Sequence, residues 1–206
     1  MSADPIATVV QTFRDFFTEA KVVLRHPWTF PERLYLGPGN LFGKGTTFVT
    51  LSTAAAYLLC IPIFLRHEMA VSKGVMMFLH IAGWYVIGLV LHLMLKLMGS
   101  RGVTWKETMG LYGYQLGVQT VGYTLLMYPS FLSYKQVALS LLGQEVAPSP
   151  LEANINVLAA ALILTVWAVA ALAPMYARYH RLATWGKTRV AVAFSLTITI
   201  SWPFLL

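Results

Sequence analysis

GLYGYQLGVQTVGY, residues 110–123, is the stretch on which the fold turns. It is apolar enough for a membrane, yet it carries two glutamines, three tyrosines and four glycines. Wound as a helix, it lines up Thr108, Tyr112, Gln115, Gln119 and Gly122 on one stripe, with Gly110, Gly113, Gly117, Thr120 and Thr124 roughly opposite. Small residues four apart let a second backbone come close. The amides cannot face hydrocarbon, because desolvating one without a partner costs roughly 2–7 kcal/mol. A helix with these two faces belongs at the centre of a bundle. Two readings of Gln115 and Gln119 stand side by side: interhelical hydrogen bonds that serve packing alone, or a polar intramembrane site for a solute, lined also by Tyr112, Thr108 and His80.

Working outward, the chain of 206 residues is 57% apolar and only 11% charged, where soluble domains carry about 25% charged residues. The apolar residues gather into five runs, about 46–65, 75–95, 108–128, 157–176 and 190–206, each near the roughly 17–25 residues a membrane-crossing helix needs. Charge placement checks the count, because Lys and Arg accumulate on the cytoplasmic side. Twelve basic residues fall on one side of a five-pass threading: Arg14, Lys21, Arg25, Arg33 and Lys44 before the first run, Lys96, Arg101 and Lys106 before the third, and Arg178, Arg181, Lys187 and Arg189 before the fifth. Only Arg66, Lys73 and Lys135 fall on the other. Omitting the polar third run would put the last group on the wrong side, so the charge bias predicts that 108–128 crosses. The expected fold is an all-α integral membrane protein, with a five-helix transmembrane domain over 46–206 and an amphipathic, interfacial region over 1–45.

That N-terminal region opens with Asp4–Pro5, a helix cap followed by a first-turn proline. Ile6, Val9, Val10, Phe13, Phe16, Phe17, Val23 and Leu24 then recur at three- and four-residue spacing, with Thr8, Thr12, Asp15 and Glu19 across from them. The pattern predicts a helix lying in the cytoplasmic interface or packed on a partner or loop. The start lacks a charged segment followed by an apolar core and a cleavage site, so it does not read as a secretory signal. HPWTFPERLYLGPGN, residues 26–40, is too rich in Pro and Gly to continue the helix. It reads as an interfacial link with Trp28, Phe30 and Tyr35 at headgroup depth.

Reactive chemistry is sparse. The five runs hold no Asp or Glu, and Glu107 stands just ahead of the third. No pair of carboxylates has the spacing of acid/base catalysis, and there is no phosphate-binding glycine loop or hydrolase serine turn. An enzyme is therefore not expected, and neither a cofactor nor a metal is. His80 and His92 lie about 120° apart on their helix, which is not a two-histidine ligand face; each reads as a satisfied structural histidine, with His92, one turn before Lys96, reaching toward headgroups. Cys60 is the lone cysteine and reads as an apolar core residue. The net charge of +7 has its explanation in the topology rather than in nucleic acid. The connection ARYHRLATWGKTR, residues 177–189, sets Arg178, His180, Arg181, Lys187 and Arg189 for contact with anionic headgroups or a docking partner.

Three stretches carry a resemblance: KVVLRHPWTFPERL at 21–34, LMGSRGVTWKETMGLYGYQLG at 97–117 and RYHRLATWGKTRVAVAF at 178–194. In order and spacing they resemble the Yip1-domain family of small five-span membrane proteins, over roughly residues 20–206. The middle stretch, with its Gly-Ser-Arg-Gly turn followed by Trp105, Thr108 and Tyr114, is the most specific. The resemblance implies a cytoplasmic N-terminus, a far-side C-terminus and a role in membrane organisation or trafficking. Eukaryotic relatives bind small prenylated GTPases through a cytoplasmic N-terminal region and pair with one another. The short N-terminal region here is closer to the bacterial members, which implies an inner-membrane location. No catalytic residue carries over, since the family has no agreed active site. The resulting expectation is a scaffold or assembly partner that forms homo- or hetero-oligomers, with a channel or carrier for a small solute or lipid as the alternative.

Overall fold

Several helix ends are set by local chemistry. The structure is a computed structural model, described over residues 5–66, 70–131, 159, 162–182, 188–189 and 191–192. Every regular element among the described residues is helical. Helix α1, Pro5–Arg25, opens on its proline, whose missing N–H is no loss in a first turn. The short α2, Phe30–Arg33, follows, then α3, Leu41–Arg66, and α4, Ala70–Leu97. Helix α5, Trp105–Phe131, is 27 residues long. A capping box starts it: Glu107 accepts from the Thr104 backbone N–H and hydroxyl, and the Glu107 N–H donates back to the Thr104 hydroxyl. Helix α6, Leu162–Tyr179, contains a π-helical turn at Ala168–Leu172.

Three helices end alike. After α4, Ser100 N–H bonds to Leu95 O and Gly99 N–H to Lys96 O; after α2 the pairs are Leu36 to Pro31 and Tyr35 to Glu32; after α6 they are Leu182 to Ala177 and Arg181 to Arg178. This Schellman pattern needs a left-handed residue, usually glycine. Gly99 supplies it at φ +100°, but Tyr35 and Arg181 occupy it at +51° and +53°.

The tightest contact joins α3 to α5. A Cβ on Gly45 would collide with the Gly110 carbonyl, and one on Gly110 with the Leu41 carbonyl. On Gly113 it would lie 2.5 Å from the Gly45 oxygen, and on Gly117 2.6 Å from the Phe48 ring. The two helices are backbone to backbone, and because Leu41 meets Gly110 while Ser52 meets Gly117 they run parallel. Helix α4 runs the other way, pairing His92 with Thr108 and Gly88 with Met109 and Tyr112. So does α6, which pairs His180 with Thr108 and Leu164 with Gly122.

Polarity is turned inside out relative to a protein in water. Ser52, Thr53, His92, Glu107, Thr108, Gln115 and Gln119 are buried. Leu58, Val86, Leu89, Leu93, Leu125, Leu162 and Val166 are exposed. Among the described residues two helices, Leu41–Ile61 and Leu162–Tyr179, are long and apolar enough to cross a membrane, and Ile81–Leu97 is a shorter apolar helix. Helix α3 starts at Leu41, ahead of the expected boundary near residue 46. Most of the expected fifth run lies outside the described residues; within it, Ala191 and Val192 are buried in the core.

Helix α1 docks on the end of this bundle where α3 and α5 begin. Phe16 stacks on Phe48 at 5.2 Å, Phe48 on Tyr114 at 4.7 Å, and Phe30 of α2 closes on Tyr114 at 5.2 Å. The Tyr114 hydroxyl donates to Glu19 at 2.8 Å, and Lys44 pairs with the same carboxylate at 3.4 Å. One face of α1 is thereby used. Val10, Phe13, Phe17 and Leu24, on another face, stay outside and are more than half exposed.

The glycine contact makes a differential prediction. Gly113→Ala should cost about 1–3 kcal/mol by forcing the helices apart. Gly43→Ala, in the same α3 but with nothing within 4 Å of its Cβ position, should be neutral or stabilise by up to about 1 kcal/mol. Melting in detergent separates the two, and equal effects would refute the close approach.

Candidate functional site

Helix α5 presents two buried faces, and the residues singled out in the sequence divide between them. Gly110, Gly113 and Gly117 lie against α3. Thr108, Tyr112, Gln115 and Gln119, all buried, lie on the other side, where Thr108 meets His180 and Gly122 meets Leu164 of α6. His80 is in α4, but its side chain lies outside the described residues.

At the start of α5 the polar groups form a connected network. The Thr108 hydroxyl lies 2.8 Å from His92 Nδ1 and 3.3 Å from His180 Nε2, and the Ser100 hydroxyl lies 2.7 Å from His180 Nδ1. Beside it, Glu107 takes two bonds from Thr104 at 2.7 Å and a third from the Tyr179 hydroxyl at 3.0 Å. Burial alone would raise the Glu107 carboxyl. The Thr104 and Tyr179 bonds and the nearby His180 outweigh it and hold the carboxyl below its ordinary value. His180 goes the opposite way from a surface histidine: burial, reinforced by His92 and Lys96 and opposed by Glu107, lowers it to about 4.

Two sequence expectations are corrected here. His180 was expected with the basic residues at the membrane surface, but it is fully buried, because the Schellman turn at Arg181 tucks its ring between Ser100 and Thr108. His92 was expected to reach for headgroups; it is 7% exposed and turns inward to Thr108. Of the other basic residues, Arg178 is exposed but paired with Glu32 at 3.0 Å, Arg181 and Arg189 are exposed, and Lys187 lies outside the described residues. The sequence signals this network only through TWKE at 104–107, the capping-box signature that ties Glu107 inward.

Deeper along α5 the polar groups are not connected. Among the described residues, both nitrogen and oxygen of the Gln115 and Gln119 amides are buried without a hydrogen-bond partner, as are the Tyr176 hydroxyl, the Ser52 hydroxyl and the Trp84 indole nitrogen. Counting along the antiparallel pair from Thr108–His180 to Gly122–Leu164 sets the glutamines level with the π-helical turn Ala168–Leu172. Such a turn widens a helix and recurs at functional sites. Among the described residues no three of His, Cys, Asp and Glu gather as a metal ion would need.

The network predicts acid sensitivity. Folded His180 binds a proton less readily than the ordinary histidine value of 6.5. Between pH 6.5 and about 4 the unfolded chain therefore holds the extra proton, and stability falls as pH falls. The loss should approach about 3 kcal/mol at the low end. Melting temperature followed across this window should drop in the wild type and flatten in His180→Gln; a variant with the same slope would remove His180 as the cause.

The Yip1 domain family profile matches residues 21–206, beginning inside α1 and taking in every later helix. No curated protein and no solved structure matches the chain. With the inverted polarity, the two apolar helices of crossing length and a family match over most of its length, the chain belongs to the Yip1 domain family and is a membrane protein of a family with a part in trafficking.

Proposed function

We propose that the chain is a non-enzymatic, five-pass protein of the bacterial inner membrane, N-terminus in the cytoplasm, that organises the membrane as a scaffold or assembly partner. The parallel run of α3 and α5 against α4 and α6 is what alternate crossings require, and the basic residues of the sequence agree with that orientation. The observation that carries the function is α1. It is clamped to the bundle through Phe16, Val23 and Glu19, yet keeps Val10, Phe13, Phe17 and Leu24 exposed on a separate face. A protein already anchored by its crossings needs no further foothold. An apolar stripe sunk about 5–10 Å into one leaflet therefore acts on that leaflet, or on neighbours in it.

Full-length protein reconstituted at high density should shrink or tubulate vesicles, while Phe13→Gln with Phe17→Gln at the same density should leave them ordinary. Unaltered vesicle shape with the wild-type chain would reject the leaflet role.

The unpartnered amides favour a second reading, a carrier or channel for a small polar solute along Gln115, Gln119 and Tyr176. On that reading, Gln115→Leu with Gln119→Leu should reduce glycerol and urea entry into proteoliposomes to the protein-free rate without lowering the melting temperature, because an apolar replacement of an unpaired buried group is close to neutral. Entry that is unchanged, or absent in the wild type, removes the carrier.

A further inference from the structure

We propose that the elbow between α1 and α2 is a binding site for the phosphate of an anionic phospholipid, held by Lys21, Arg25 and Arg33 with His26 as a further hydrogen-bonding group. A cleft of about 480 Å³ opens there, lined by Thr18, Lys21, Arg25, His26, Arg33 and Tyr35 among others. Three cations and no carboxylate line it.

Charge pairing elsewhere leaves these cations uncompensated. Among the described residues, each carboxylate of α1 and α2 is engaged away from the cleft. Asp15 accepts from Gln11 at 2.7 Å, and Glu19 is taken by Lys44 and Tyr114. Glu32, the immediate neighbour of Arg33, turns to Arg178 at 3.0 Å. Arg33 is steadied by its Nε–H, which donates to the Thr29 hydroxyl at 3.3 Å. Among the described residues its terminal nitrogens have no protein partner, and that planar fork suits a phosphate.

The wall opposite is strained. Tyr35 holds the left-handed φ of +51° that a Schellman turn ordinarily gives to glycine. Asn40 braces the turn, its amide donating to Tyr35 O at 3.4 Å and its carbonyl accepting from Gly37 N–H at 2.9 Å. A left-handed tyrosine is sterically strained, and what it achieves is to stand an 88% exposed ring beside the cations.

That rim is what assigns the phosphate to a lipid rather than to a soluble compound. Phe17 and Leu24 lie one turn on either side of Lys21 and are more than half exposed, and Tyr35, in the lining itself, is exposed as well. Apolar and aromatic side chains around a basic cleft suit the boundary between headgroups and acyl chains, where Trp and Tyr concentrate and each basic residue adds to anionic-lipid affinity. The site rests on the reading that α1 lies in the leaflet, and it adds to that reading a headgroup chemistry.

The test uses the full chain in nonionic detergent, with retained lipid read by native mass spectrometry after addition of dioleoylphosphatidylglycerol or dioleoylphosphatidylcholine. The wild type should retain phosphatidylglycerol over phosphatidylcholine by roughly ten-fold. Arg25→Gln with Arg33→Gln should abolish most of that preference, and Lys21→Gln alone should reduce it. Arg101→Gln with Lys106→Gln, exposed cations outside the cleft, should leave it intact. A double variant that melts like the wild type and keeps the preference, or a wild type with none, overturns the site. Millimolar inorganic phosphate should not displace the lipid; displacement would assign the cleft to soluble phosphates and overturn the lipid assignment. Val10→Gln with Phe13→Gln, two exposed residues of the apolar stripe away from the rim of the cleft, should still select phosphatidylglycerol, so failure of the leaflet role and failure of this site read out separately.

Discussion

Where α3 crosses α5, the carbonyls of Leu41, Gly45 and Gly110 press against glycine positions with no room for a side chain. Two backbones at that distance gain dispersion contact along their whole crossing, and in hydrocarbon, where apolar association has little driving force, this packing is what holds helices together. It also fixes rotation. With its glycine face committed to α3, α5 can only turn the face of Thr108, Tyr112, Gln115 and Gln119 toward α4 and α6, and Tyr114 toward α1 and α2. Position after position on α5 follows from that one choice.

Burial of the amide face has unequal results along its length. Near the start of α5 the polar groups find one another, and the chain Ser100, His180, Thr108, His92 binds the turn after α4, α5 and the end of α6 into one unit. Further along, α6 offers Ala168, Ala171 and Leu172 at the level of the glutamines, side chains with nothing to donate or accept. The π-helical turn at that level departs from ordinary helix geometry where the amides stand. A polar cluster that is satisfied at one end and unpaired at the other separates a stabilising region from a region with binding capacity.

Helix α1 has three faces with three tasks. Phe16, Val23 and Glu19 attach it, Phe17 and Leu24 leave an apolar stripe, and Lys21 and Arg25 turn basic charge toward the α2 elbow. The attachment is polar at its centre, with Tyr114 and Lys44 sharing one carboxylate. Such a clamp holds a helix in a defined rotation, which a purely apolar contact does less well, and rotation is what decides which face stays exposed.

Much of this was legible from residue order. The all-helical class, the two faces of α5 and the amphipathic α1 follow from spacing alone, because a period of 3.6 residues places side chains on faces before any partner is known, and the family from the resemblance of three stretches. The proposed orientation rests on charge counting for the same reason: it needs order along the sequence and nothing else. Which face meets which helix was beyond that reach. Basic and histidine residues in a connecting loop look alike on paper, yet a left-handed turn at Arg181 buries His180 while Arg178 beside it pairs with Glu32 from a helix more than a hundred positions away. Likewise nothing in KVVLRHPWTFPERL says that its carboxylate points away and its cations converge. Periodicity is a property of one helix, whereas ion pairs, orphaned amides and clefts belong to pairs of helices, and only their packing decides them.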